Sequence, residues 1–265
     1  MELAGYLASI LIGISLGLIG GGGSILTVPV LVYLFHIDAG LATTNSLFIV
    51  GATSVVGSLS YFRKGLVHIP TAIVFGLPSV AAVFLTRAFV LPAIPEHVFS
   101  IGDIMVTKNM LLLLLFALLM IGASYSMIKT DHHSIQMAHP IHKISFLPVL
   151  LQGLFTGLIT GLVGAGGGFL VIPALVHWLK LPMKTAVGTS LFIIAVNSLA
   201  GFFFSVKHAE IHWHFLLIVA SIAIVGILIG SYFSTKIQAQ KLKPVFGWFV
   251  LVMGLYIIIR ETIVK

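Results

Sequence analysis

Charge is what this sequence has least of. Asp, Glu, Lys and Arg make up 8% of its 265 residues, against about a quarter of a soluble domain. With 59% of positions hydrophobic, there is too little polar surface to cover a water-facing globule, which excludes the soluble enzyme classes. Cysteine is absent, which excludes disulfides, thiolate metal sites and any thiol relay. None of the seven acidic residues falls in the middle of an apolar run, so the sequence lacks the carboxylate that proton- and sodium-coupled pumps commonly bury. Basic residues outnumber acids by a net charge of +7, but they stand singly or in pairs and form no stripe for nucleic acid. Ahead of the first apolar run there is Glu2 and no Lys or Arg. That run therefore reads as a membrane segment and not as the core of a signal peptide.

What is present is a succession of apolar stretches. About 20 such residues cross a bilayer core of roughly 30 Å as a helix. Eight stretches approach that length: 3–20, 42–62, 69–91, 109–128, 146–163, 185–206, 213–235 and 244–262. Two more, 24–36 and 168–180, are too short to cross alone, and each follows a glycine cluster. The expected fold is an all-α integral membrane protein with about eight long transmembrane helices and two short, glycine-broken half-helices. Polar residues 129–145 separate a first membrane repeat, 1–128, from a second, 146–265. Four histidines in that linker, His132, His133, His139 and His142, follow no helical register. They read as a solvated loop, and neither a metal site nor a cofactor is expected.

The halves are copies. A shift of 144 positions places Gly13, Gly17, Gly20, Gly22, Gly23 and Pro29 on Gly157, Gly161, Gly164, Gly166, Gly167 and Pro173. Farther on it places Ser46, Ser54, Gly57 and His68 on Ser190, Ser198, Gly201 and His212. Apolar matches could arise by chance in such a chain, but Gly, Pro, Ser and His matches in one frame mark an internal repeat.

Charge then decides the orientation of the copies, because cytoplasmic loops collect Lys and Arg. If each short stretch continues the crossing before it, the basic residues divide evenly between the two sides. If it turns back, Arg63, Lys64, Lys129, Lys143, Lys180, Lys184, Lys236, Lys241 and Lys243 share one side, against Arg87, Lys108, Lys207, Arg260 and Lys265. The returning hairpin gives three further crossings per half. It makes the repeats inverted, the linker cytoplasmic and both termini external, in a cell inner membrane.

The passages GLIGGGGSILTVPVLVYL (Gly17 to Leu34) and GLVGAGGGFLVIPALVHW (Gly161 to Trp178), followed by TNSLF and GTSLF, resemble the sulfite exporter TauE/SafE family. The likeness covers nearly the whole chain. It implies transport of sulfite, a sulfonate or a related sulfur-containing anion. The residues point the same way without it. Consecutive glycines break a helix, and irregular backbone survives in a membrane only where protein buries it or a wet cavity is lined by it. The short helix that follows offers unpaired N–H groups and a positive dipole end to an anion. Close helix packing is the other use of such glycines.

The expected substrate contacts are Gly22, Gly23, Ser24, Gly166, Gly167 and Gly168 on the loops, with Asn45, Ser46, Thr189 and Ser190 as side-chain donors at matched positions of the next segment. Ser and Thr also act as ordinary interhelical glue, the reading favoured for Thr53, Ser54, Asn197 and Ser198. Arg87, the one clear cation within a long apolar run, is read as snorkelling to the interface in preference to touching substrate. His68 and His212 are read as boundary residues, and Tyr33 and His177 as candidate proton partners. No catalytic residues are assigned, since no nucleophile and base pair up within the apolar segments.

Overall fold

The structure is a computed structural model, and it describes residues 2–101, 104–128, 146–177, 179, 181–206, 210–234 and 239–263. The linker 129–145, with its four histidines, lies outside them. All eight long stretches are helical: α1 (Glu2–Ile19), α3 (Ala39–Arg63), α4 (Ile69–Leu85), α6 (Lys108–Ile128), α7 (Phe146–Val163), α9 (Met183–Ser205), α10 (Trp213–Phe233) and α11 (Ala239–Ile263). A π-helical turn, Thr86–Val90, carries α4 on into a short α5 (Leu91–Ala93). The two short stretches are α2 (Thr27–Tyr33), entered through a 3-10 turn at Gly22–Leu26, and α8 (Gly168–His177). Among the described residues, five helices are long and apolar enough to cross a membrane: Ala39–Arg63, Ile69–Ala93, Lys108–Tyr125, Met183–Ser205 and Trp213–Phe233. Leu3–Ile19 and Leu147–Val163 are apolar but shorter. A ribbon that the hydropathy pattern gives no hint of, β1 (His97–Ile101) antiparallel to β2 (Ile104–Thr107), precedes α6.

Local chemistry sets the helix boundaries. Asp38 caps α3, its Oδ1 accepting the Gly40 N–H at 2.8 Å, and the other carboxylate oxygen accepts from Asn109 Nδ2. His68 caps α4, its Nδ1 accepting the Thr71 N–H at 3.3 Å, with Pro70 in the first turn, where its missing N–H costs nothing. The α1 helix stops where Gly20 turns to φ +82°.

Packing partners exchange between the halves. α1 lies along α10, and its repeat counterpart α7 lies along α4, the counterpart of α10. In both pairs the glycines set the approach: a Cβ at Gly17 would sit 2.6 Å from Ser231 N, and one at Gly153 2.6 Å from Phe75 O. Numbers rise together along each pair, from Gly153 beside Phe75 to Gly161 beside Thr86, so these helices run parallel. The counterparts α3 and α9 pack on each other and run antiparallel, Gly51 facing Leu199 and Gly57 facing Leu191. α6 and α11 do the same, Gly254 facing Ala117 and Gly247 facing Ile128. Lipid tails are as apolar as leucine, so close contacts of this kind hold membrane helices together where water would not drive them. Exposed Leu3, Leu7 and Leu11 mark the outer face of α1, while Phe75, Phe116 and Met120 are fully buried.

Candidate anion site at the glycine loops

The two glycine loops meet. A Cβ on Gly21 would lie 2.5 Å from Gly168 O, and one on Gly168 would lie 2.6 Å from Gly21 Cα. Only glycine allows backbone to approach backbone that closely. The ends of α1 and α7 and the starts of the short helices thus converge on one region, bounded by α3 and α9. Thr43 of α3 touches Gly164, and Val187 of α9 touches Gly20.

The loops are not built alike. In the second, Gly164, Gly166 and Gly167 all have φ between +66° and +74°, a region that costs an L-residue energy. Gly168 then starts a ten-residue helix, where Leu170 and Val171 donate their N–H groups to Gly167 O at 3.0 and 3.2 Å. A Cβ at Gly167 would fall on Thr160 Oγ1, and one at Gly166 would lie 2.8 Å from Ser198 Oγ. Thr160, Ser198 and nearby Thr156 are all buried, and their hydroxyls have no hydrogen-bond partner among the described residues. In the first loop Ser24 donates its hydroxyl to Gly21 O at 2.7 Å. Gly23 rests on Ser15, which donates to Ile12 O at 2.8 Å.

The expected contacts therefore separate. Gly166, Gly167 and Gly168 form the second loop, while Gly22 and Gly23 open the 3-10 turn of the first. Ser24 and Ser190 are bonded within their own turns, Ser190 to Val187 O at 2.8 Å. Thr189 Oγ1 accepts the His68 N–H at 2.9 Å and so ties α9 to the start of α4. Asn45 and Ser46 are buried with Asn45 Oδ1 and Ser46 Oγ unpaired. Asn45 also lines a cavity of about 310 Å³ with Tyr6, His36, His212 and Phe215. One face of α3 thus puts Thr43 on Gly164 and Val50 on Gly166, while Asn45 lines the cavity from another face.

Two readings change. Arg87 is not an interfacial anchor: it is 4% exposed, because the π-turn holds it between α3 and α9. Ser198, read as glue, has an unpaired hydroxyl at the second loop, whereas Asn197 does bridge helices, donating to Ser79 Oγ at 2.7 Å. Thr156 and Thr160 were missed. The repeat comparison could have found them, since Ile12 and Leu16 occupy their places in the first half. One acid also departs from expectation. Glu261 lies near the end of α11 yet is 3% exposed, 3.4 Å from the Tyr33 hydroxyl, with Arg260 stacked over the Tyr33 ring.

A bundle of apolar helices interrupted by two touching glycine loops defines a multi-pass membrane transporter, and comparison with known proteins agrees. The model of the sulfite exporter TauE/SafE family matches residues 6–257, and the chain belongs to that family. It is 30% identical to a probable membrane transporter protein of Xylella fastidiosa strain 9a5c, over 95% of this chain and 92% of the relative. It is 26% identical to one from Methanocaldococcus jannaschii, over 94% and 92%, and 25% identical to one from Bacillus subtilis, over 91% of each. No solved structure matches the chain.

Proposed function

We propose that this transporter moves a small sulfur-containing anion, sulfite or an organosulfonate, by alternating access across a cell inner membrane, with the anion bound at the meeting point of the glycine loops. The observation that carries this reading is the second loop. Three left-handed glycines lead into α8, and the unpaired hydroxyls of Thr160 and Ser198 lie against them. An oxyanion out of water needs several donors and no competing carboxylate. The family's name supplies the sulfur chemistry.

Inverted repeats suit the packing. Helix counterparts that run antiparallel, as α3 and α9 do, are related by a two-fold axis across them. If both span the membrane, that axis lies in its plane. In this arrangement eight long helices lie in the membrane, α1 and α7 turn back with their short helices while the other six cross, the 1–128 and 146–265 repeats face opposite ways, the 129–145 linker is cytoplasmic and both termini are external. The burial of Arg87 strengthens the charge argument, since it removes one of the five basic residues counted opposite the nine. Rocking of one repeat on the other would expose the loops to each side in turn. A dianion leaving a negative cytoplasm gains about 4.6 kcal/mol per 100 mV, twice the ~2.3 for a single charge, so export can proceed without a coupling ion. The lipid bilayer and the anion are the partners this requires.

The test is counterflow into proteoliposomes of purified protein with sulfite, sulfate, thiosulfate, taurine and sulfoacetate. Sulfite or a sulfonate should exchange. Exchange of none of them, or of neutral solutes alone, would refute the reading.

A further inference from the structure

Beyond the glycine loops, the described residues contain one buried cation that the proposed site does not use. Arg87 sits inside the π-turn Thr86–Val90, a helix irregularity often found at functional sites. Its Nη1 donates to Thr44 Oγ1 at 3.4 Å and to Ser205 Oγ at 3.3 Å, both long contacts to neutral groups. Among the described residues its Nε and Nη2 have no partner and no carboxylate pairs with it. Burying an ion without counter-charge is costly. A purely structural role would be served at lower cost by a neutral side chain, and the matched position in the second half is in fact Ser231.

Its surroundings lead back to the second loop. Thr86 packs on Gly161, at the end of α7 that leads into that loop. Thr44, which holds the guanidinium, follows Thr43, which touches Gly164. The residues around the guanidinium are therefore shared with the second loop, Thr86 at Gly161 and Thr44 next to Thr43 at Gly164. Its planar fork matches two oxygens of a sulfite or sulfonate group, and an ammonium would not.

We propose that Arg87 is a substrate-binding residue, the fixed positive charge that selects an oxyanion at the second glycine loop through its free Nε and Nη2. This rests on the reading of the chain as an anion transporter. Thr44 and Ser205 position the guanidinium, and the repeat asymmetry at Ser231 gives the site a single charge on one side.

The experiment measures sulfite binding by calorimetry and sulfite counterflow on wild type, Arg87→Gln, Arg87→Lys and Ser205→Asp, with melting temperature recorded for each. Arg87→Gln should weaken sulfite binding roughly ten- to a hundredfold, the range for losing a donor to a charged ligand. Arg87→Lys should fall between it and wild type. Ser205→Asp keeps the arginine but gives it a carboxylate, so it should melt no lower than wild type and still lose binding. That combination is not expected of an arginine that only holds helices together, and it decides the matter if Arg87→Gln does not fold. Wild-type affinity in folded Arg87→Gln or in Ser205→Asp would overturn the proposal. If wild type itself neither binds nor exchanges sulfite or any other tested anion, the transport reading fails first.

Discussion

The two glycine loops occupy equivalent places in a repeated sequence, yet their turns and the hydroxyls beside them differ. The first runs through a 3-10 turn into a seven-residue helix, and the hydroxyls of Ser15 and Ser24 are bonded to the backbone beside it. The second uses three left-handed glycines to start a ten-residue helix above Thr156 and Thr160, whose hydroxyls are unpaired. Ile12 and Leu16 stand where those threonines would be in the first half. Duplication has thus kept the glycines and the short helix in both copies while the turns and the hydroxyls beside them have diverged, Thr27 being the unpaired one at the first short helix.

Breaking the comparison at the backbone should have the largest effect. Gly166→Val combines a φ of +66° with a Cβ 2.8 Å from Ser198 Oγ and Val50 Cγ1, and counterflow should be abolished. Gly23→Val, at a first-loop glycine with negative φ, should act through stability, with a lowered melting temperature and a residual rate in whatever protein folds. Equal transport loss in both, at equal stability, would erase the difference between the loops.

Next comes the polar floor. Thr160→Val keeps the shape and removes an unpaired hydroxyl, and should weaken sulfite binding about tenfold, toward the lower end of the cost of a lost bond to a charged ligand. Ser15→Ala removes a hydroxyl bonded to its own helix and should leave affinity within about twofold. Titrations on the two proteins decide between them.

A smaller contrast separates Asn45 from Thr189, which match in the repeat. Asn45→Ala should lower affinity severalfold, since its free Oδ1 and its place in the cavity put it on the path. Thr189→Ala should leave affinity alone and cost about 0.5–1.5 kcal/mol of stability, because its hydroxyl accepts from His68 N. The smallest effect is expected at Glu261, the buried acid beside Tyr33. Glu261→Gln should keep flux within severalfold at matched protein level, and loss of flux in a folded protein would instead make it a coupling residue.

Much of this was legible in the sequence. The apolar pattern located every long helix and both short ones behind their glycine clusters, and the 144-residue shift matched the halves, because a repeat of Gly, Pro, Ser and His in one frame has few other causes. Which hydroxyls remain free was not legible. Ser24 and Thr160 look equally available in the sequence, and only the fold shows that one reaches its own loop's carbonyl while the other faces Gly167. Arg87 was misread for a related reason. Its distance from a helix end suggested snorkelling, but the π-turn and the α3 and α9 hydroxyls hold it inward. Glu261 was hidden likewise, since nothing local shows that α2 folds back against the end of α11.

The central claim, that the anion is held at the second loop, is tested most directly by a crystal structure with selenite, the selenium counterpart of sulfite, located by anomalous scattering. The account predicts a selenium peak within hydrogen-bonding reach of the Gly166–Gly168 backbone and the Thr160 hydroxyl, on the side facing Arg87. A single peak at the first loop, or one away from both loops, would contradict it.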